Sequence, residues 1–117
     1  MSDIYTIDFD PAKLSHRQDE LGLEFADLDT AVELMKKEEK MIIAELTLYF
    51  SKNGGYKNIT ELNGYIYSDT KFKDYFDRYE RTLKQRNRAK IRYDSYKIFV
   101  DNLRTKIVNE RTLTKNL

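Results

Sequence analysis

The sequence predicts an all-α protein built as a long antiparallel helical hairpin that resembles a coiled coil. Apolar residues recur at alternating four- and three-residue intervals in the first half of the chain, and at seven-residue intervals in the last third. Both spacings are typical of coiled-coil or bundle helices and not of strands. The chain has one proline and four glycines in 117 residues, which fits long helices in a single domain, residues 1–117.

The first long helix is predicted over residues 11–50. Asp10 followed by Pro11 is a good start signal, because aspartate caps helices and proline suits the first helical position. Gly22 is a weak point, where the helix is expected to kink or restart. The predicted seam, meaning the line of residues that faces a partner helix, consists of Leu14, Gln18, Leu21, Phe25, Leu28, Val32, Met35, Glu39, Ile42, Leu46 and Tyr49.

A turn and a short helix follow. Gly54 or Gly55 can adopt the left-handed conformation that ends a helix. Asn58 with Glu61 three residues later predicts a capping box for a short connecting helix over residues 58–67. Ser68 or Asp69 then caps a second long helix over residues 69–112. The N-terminal residues 1–9 alternate apolar and polar side chains, which fits either an extended docking arm or a disordered segment.

The second long helix is expected to lose its register near Arg86. Phe72, Tyr79, Tyr93, Val100 and Ile107 share one seven-residue register that Arg86 interrupts. Before the interruption each seam residue pairs with an apolar residue four positions later, and after Ala89 the pairing changes. The apolar pattern therefore predicts a register shift, with poor helix contact in the basic middle of the helix.

Apolar residues away from both seams suggest self-association. A second apolar face on a helix has to be buried against something, so we expect a helical homo-oligomer. These residues are Leu34, Met41, Ile43, Leu48 and Phe50 in the first helix and Ile91, Ile98 and Phe99 in the last.

Composition argues against an enzyme. The chain has no cysteine and one histidine, His16, so it cannot form a thiolate metal site, a histidine-based triad or a multi-histidine metal site within one chain. Its carboxylates fall at solvated helical positions. No cofactor is predicted. The N-terminus lacks the pattern of a signal peptide and no stretch approaches the roughly 20 apolar residues of a membrane span, so the expected location is the cytoplasm.

Charge is distributed unevenly along the chain. Residues 1–50 hold 12 acidic and 5 basic residues, whereas residues 51–117 hold 8 acidic and 16 basic residues. Two interpretations remain open: the two long helices pair acid against base, or the basic half meets nucleic acid. The candidate phosphate contacts are Arg81, Lys84, Arg86, Arg88, Lys90 and Arg92.

Tyrosine is the second candidate feature, because single-stranded nucleic acid is commonly held by bases stacked on aromatic rings beside cations. The chain has nine tyrosines and no tryptophan. Packing at a helix seam is the competing explanation for those on the seam. The tyrosines that neighbour lysine or arginine are Tyr56, Tyr65, Tyr67, Tyr93 and Tyr96. Of these, Tyr93 and Tyr56 are the proposed stacking residues, and Lys52 and Lys57 flank the glycine turn beside Tyr56.

The order of these segments resembles a family of phage proteins. A heptad helix runs into residues 44–51 (AELTLYFS), a glycine turn follows, Thr60, Glu61 and Leu62 open a short segment, and Ser68 and Asp69 begin a long helix with LRTK at 103–106. This order is similar to that of the recombination mediators of T4-type phages, the UvsY-like family, over about residues 12–112.

The resemblance implies a ring-like homo-oligomer that binds single-stranded DNA and helps load a RecA-like recombinase onto strands coated by single-strand-binding protein. The family's basic pair falls on Ala44 and Leu46 here, so phosphate contacts are expected from the glycine turn or the Arg81–Arg92 run instead. Two alternatives from other classes remain: a protein-interaction module, such as a phage inhibitor of a host nuclease or defence complex, and a purely structural coiled coil.

Overall fold

The computed structural model describes residues 10–116 and places nearly all of them in three α-helices. These are α1 (Pro11–Asn53), α2 (Ile59–Ser68) and α3 (Thr70–Asn116). Residues 10–116 contain no strand, and the all-α prediction is confirmed. Both long helices extend a few residues beyond the predicted C-terminal bounds of 50 and 112. The predicted arm at residues 1–9 lies outside the described residues.

Aspartates cap both long helices. The Asp10 carboxylate accepts a hydrogen bond from the backbone N–H of Ala12 at 3.0 Å, directly before Pro11. The Asp69 carboxylate accepts from the backbone N–H of Lys71 at 2.9 Å. Since α2 runs through Ser68, the residue that caps α3 is Asp69. Each cap satisfies a backbone donor that has no partner inside its helix.

The connection between α1 and α2 follows the predicted turn chemistry. Gly54 and Gly55 both have positive φ, 68° and 102°, which only glycine adopts at little cost. The Asn58 side chain accepts from the backbone N–H of Glu61 at 2.9 Å and so caps α2. The Glu61 carboxylate accepts from the N–H of Lys57 at 3.4 Å, so the reciprocal half of the capping box reaches one residue further back than expected.

The contacts divide the chain into two compact units, and α1 and α3 each contribute a segment to both. Unit 2 is Asp27–Asn87. The described part of unit 1 combines residues 10–26 with residues 88–116. Its buried apolar residues include Leu21, Ala89 and Val100.

The core of unit 2 joins all three helices. Its buried cluster consists of Ile42 and Leu46 from α1, Ile66 from α2, and Phe72 and Tyr75 from α3. The half-buried residues that pack around this cluster are Met35, Ile43, Phe50, Leu62 and Tyr79.

Tyr75 is the one tyrosine of this core that is almost fully buried, with 1% of its surface exposed. Its hydroxyl donates a hydrogen bond to the carbonyl oxygen of Met35 at 2.7 Å. Burial, with a smaller contribution from the negative charge of Glu39, raises the pKa of Tyr75 to about 12. The hydrogen bond joins α3 to α1 without leaving a buried polar group unpaired.

The predicted register shift in α3 is wrong. From Phe72 to Ile107, the residues reached by alternating steps of three and four are all buried or half-buried. The expected partner of Phe72 was Phe76, but Phe76 is 45% exposed and Tyr75 takes the seam position. Thr82 and Arg86 also occupy seam positions, and a count of apolar residues therefore misses them. The seam of α3 consists of Phe72, Tyr75, Tyr79, Thr82, Arg86, Ala89, Tyr93, Tyr96, Val100, Leu103 and Ile107.

The predicted seam of α1 is correct except at its end. All its members are buried or half-buried up to Leu46, but Tyr49 is 58% exposed. Phe50, which the sequence placed off the seam, packs on the core of unit 2 instead. Ile43 does the same, so both residues leave the predicted second apolar face. Leu34, Met41 and Leu48 stay exposed.

Candidate nucleic-acid interface

The basic stretch of α3 contains six cations and no carboxylate. Residues 81–93 lie between the acidic Glu80 and Asp94. All thirteen are helical. Since acidic residues of α1 are available to pair with these cations, the question is which of the six they neutralise.

Three ion pairs link α3 to α1 within unit 2. Lys71 pairs with Glu45, and the Arg78 guanidinium donates to the Glu38 carboxylate at 2.8 Å, which raises the pKa of Arg78. Seven residues forward along α3 correspond to seven residues back along α1, so these two segments run antiparallel. The predicted pairing of acid against base therefore occurs, although exposed pairs of this kind contribute little stability.

Arg86 forms the third pair and lies in the seam. Its Nε is 3.5 Å from Oδ1 of Asp29, is buried, and has no hydrogen-bond partner. The Arg86 side chain is 25% exposed, the least of the α3 cations that form ion pairs. The Arg86 side chain is therefore part of the contact between α3 and α1.

Among the described residues of unit 1, one such pair is present, between Arg92 and Glu24. The Arg92 guanidinium donates to the Glu24 carboxylate at 2.5 Å. A phosphate at Arg92 would compete with this carboxylate. Two of the predicted phosphate-binding residues, Arg86 and Arg92, thus already pair with carboxylates of α1.

The other four predicted cations are exposed and form no ion pair within the described chain. In unit 2, Arg81 donates from Nε only to the carbonyl oxygen of Asp77 in its own helix, at 3.4 Å. Lys84 lies three residues further along the same helix, which places it beside Arg81 on one helix face. In unit 1, Arg88 and Lys90 are exposed and two residues apart, so they point to different sides of α3.

The predicted stacking residue Tyr93 takes part in the helix packing of unit 1. It is half-buried, and its ring lies nearly parallel to that of Phe25, with 6.5 Å between the ring centroids. The backbone of Gly22 lies against the same ring. These contacts place Tyr93 in the helix packing of unit 1, whereas its role in stacking stays a prediction.

The residues predicted at the glycine turn are all exposed. Lys52 lies in the last turn of α1, and Lys57 precedes the cap of α2. Neither ammonium group has an ion-pair partner in the part of the chain that the structure describes. The hydroxyl of Tyr56 lies 3.4 Å from that of Ser51, which holds the turn near the end of α1.

Three aromatic rings beside this turn form a chain that the sequence did not reveal. Tyr49 and Phe50 have ring centroids 5.3 Å apart, and Phe50 and Tyr65 have centroids 5.6 Å apart. Tyr49 was assigned to the seam because it continues the four-three spacing. The adjacent Phe50 was the available signal: it lies four residues after Leu46, which breaks the four-three alternation but still places it on the same side of the helix.

Comparison with protein-family models, curated proteins and solved structures found no match for this chain. The resemblance to the UvsY-like family stays a prediction. None of the described helices is long and apolar enough to cross a membrane. Within the described residues, no three histidine or carboxylate side chains are grouped to hold a metal ion.

Proposed function

We propose that this chain is a non-enzymatic protein that binds single-stranded DNA through the cations of α3 that α1 leaves unpaired. The observation that carries the proposal is that four of six cations in a carboxylate-free stretch have no acidic partner among residues 10–116, which the structure describes. These cations are Arg81, Lys84, Arg88 and Lys90. When such a cation binds a phosphate, it displaces the counterion of that phosphate. An exposed cation without a partner can do this without first breaking an ion pair inside the protein.

The test is fluorescence anisotropy of a labelled oligonucleotide, single-stranded or duplex, at two salt concentrations. Four phosphate contacts predict that the logarithm of the single-strand binding constant falls against the logarithm of salt with a slope of about −3. Changing all four cations to glutamine is expected to abolish binding and to leave the helical circular dichroism unchanged.

A matched control comes from the same helix. Lys97, Arg104, Lys106 and Arg111 are exposed and contain the same two lysines and two arginines. Their change to glutamine removes the same charge, so retention of binding by this control would locate the site in the Arg81–Lys90 segment. Equal loss in both variants, or binding that does not depend on salt, contradicts the proposal.

The proposal extends to a homo-oligomer that mediates recombination, as the resemblance implies. Support comes from Leu34, Met41 and Leu48, which are exposed in unit 2 at seven-residue intervals along α1. Exposed apolar stripes commonly mark protein–protein contacts. Changing the three residues to serine is expected to reduce the solution mass to that of the 14.0 kDa monomer. A wild-type chain that is monomeric at all concentrations contradicts this extension.

The same apolar stripe favours a second candidate, a protein-interaction module such as an inhibitor of a host nuclease or defence complex. In that case the stripe binds a different protein and the cations meet its acidic surface. A stable 1:1 complex with a host protein, in a chain that has no affinity for oligonucleotides, would establish this candidate in place of the first.

A further inference from the structure

The tip of unit 2, defined as residues 49–65, has two solvent-exposed aromatic rings that pack on a third ring, which contacts the core. Phe50 is half-buried and packs against the core cluster. Tyr49 and Tyr65 each contact the Phe50 ring and are themselves 58% and 42% exposed. Two accessible rings are therefore supported by one ring that the core holds in place.

Hydrogen bonds restrict the Tyr65 ring further. The Tyr65 hydroxyl donates to the Glu61 carboxylate at 2.9 Å and lies 3.3 Å from the carbonyl oxygen of Gly55. The left-handed conformation of Gly55 shapes the turn that supplies this carbonyl. A ring that is already restrained loses less side-chain freedom when a ligand stacks on it.

The charge around the rings favours an anionic ligand. No acidic residue occurs between Glu45 and Glu61, whereas Lys52 and Lys57 lie in that interval. Glu45 is paired with Lys71, and Glu61 accepts hydrogen bonds from Tyr65 and the Lys57 backbone. The nearest carboxylates in sequence are thus engaged, whereas the two lysine ammonium groups have no ion-pair partner among the described residues.

Exposed aromatic rings beside cations suit single-stranded nucleic acid, whose bases are free to stack while its phosphates meet lysine. A duplex offers the phosphates but keeps its base faces stacked inside. Phosphate contacts alone discriminate poorly between the two forms, because both carry dense negative charge. The tip provides aromatic rings for base stacking, which the α3 cations do not.

We propose that the tip stacks unpaired bases on Tyr49 and Tyr65, with Lys52 and Lys57 at the adjoining phosphates, and that it makes the chain prefer single strands to duplexes. The inference rests on the proposed function for the phosphate contacts of α3. Because stacking does not involve the sugar, the preference applies to single-stranded DNA and RNA alike.

The experiment measures affinity for a labelled thymidine oligonucleotide, for its uridine counterpart and for the matched DNA duplex, using the full chain. The double variant Tyr49→Leu/Tyr65→Leu retains apolar bulk and helix propensity but has no aromatic face. Its affinity for both single strands is expected to fall by about tenfold per ring, while its affinity for the duplex stays unchanged.

Two controls separate stacking from other effects. Tyr65→Phe keeps the ring and removes the hydroxyl, so it is expected to retain most of the single-strand affinity. Phe99→Leu removes an aromatic side chain that is 49% exposed in unit 1, outside the tip, and is expected to change nothing. Photo-crosslinking of the wild-type chain to an oligonucleotide that carries 5-iodouracil is expected to label Tyr49 or Tyr65, independently of any variant.

The outcomes distinguish this inference from the proposed function. A wild-type chain that binds neither form of nucleic acid overturns both. If the wild-type chain binds, two results for the double variant would overturn only the stacking role. One is an unchanged single-strand affinity, and the other is an equal loss of single-strand and duplex affinity. A double variant whose nucleic-acid affinity is intact but whose oligomer mass falls would assign the tip to a second copy of the chain.

Discussion

Gly22 lies against the ring of Tyr93 in unit 1: a Cβ atom at residue 22 would stand 3.2 Å from Cε1 of the tyrosine. The helix α1 is continuous through this residue. The sequence predicted a weak point where the helix kinks or restarts, but no restart occurs. The glycine is explained by the close approach of the ring, which leaves little space for even one methyl group.

Gly22→Ala is expected to stabilise the protein by less than the about 1 kcal/mol that alanine normally gains over glycine in a helix. The reason is that the Tyr93 ring has to move by a few tenths of an ångström. Gly64→Ala in α2 is the control, since its added Cβ would meet nothing within 4 Å beyond its chain neighbours and its own helix backbone. Denaturant unfolding measures the effect of Gly22→Ala in the wild-type and Tyr93→Leu backgrounds. If Gly22→Ala raises the free energy of unfolding equally in both, contact with the Tyr93 ring is not what limits the effect.

Tyr75→Phe is expected to lower the free energy of unfolding by about 1 kcal/mol, because it leaves the Met35 carbonyl oxygen without its buried donor. The phenylalanine ring fills the same space, so the core packing of unit 2 is retained. Tyr67→Phe is a suitable control, since Tyr67 is exposed. A change at Tyr75 no larger than that at Tyr67 would mean that water replaces the hydrogen bond without cost.

Tyr75 also predicts a loss of stability at alkaline pH. Its pKa is raised from an ordinary value near 10 to about 12 in the folded protein. Its contribution is therefore fully present below about pH 10 and is lost as the pH rises toward 12, because the unfolded state releases the proton first. Wild type is expected to lose more stability than Tyr75→Phe over this interval. Tyrosinate absorbance should show a late-ionising tyrosine that is absent from the variant; identical titrations would contradict the prediction.

Arg86→Met is expected to raise the free energy of unfolding by about 1 kcal/mol, because an apolar side chain of similar length suits the seam better than a guanidinium with an unpaired buried Nε. Asp29→Ala is expected to lower it, since it leaves Arg86 without its counter-charge. In the Arg86→Met background the Asp29 change should have little effect, and denaturant unfolding of the four proteins measures this coupling.

The same variant bears on the proposed DNA contacts. Since Arg86 is engaged with α1, Arg86→Met should leave oligonucleotide affinity close to that of wild type, whereas Arg88→Met should reduce it. A larger loss from Arg86 than from Arg88 would place the phosphate contact in the seam and not on the exposed face.

Local signals in the sequence predicted the helix starts and the turn correctly. Asp10, Asn58 and Asp69 cap the three helices, and Gly54 and Gly55 close α1. Each of these is decided within about four residues, so a linear pattern is sufficient to find it. The α1 seam was equally readable as far as Leu46, because apolar residues occupy most of its positions.

The α3 seam was not readable in the same way. Thr82 and Arg86 lie in it, and a pattern of apolar residues treats both as interruptions. Similarly, Tyr49 and Phe50 lie three and four residues after Leu46, so both fall on the seam side of α1. The choice between them depends on where Tyr65 of α2 and the core of unit 2 lie. The sequence could identify the six cations of residues 81–93, but not which of them α1 neutralises.

The sequence by itself determined an all-helical chain, the capping residues, the turn at Gly54 and Gly55, and a basic stretch without carboxylates. Only the tertiary structure decided that the α3 register is unbroken, that Arg86 and Arg92 are engaged by Asp29 and Glu24, and that Tyr49 joins an exposed chain of rings. The physical reason is that secondary structure and capping depend on neighbours along the chain. A polar residue in a seam, or a charge at a surface, takes its role from a partner on another helix.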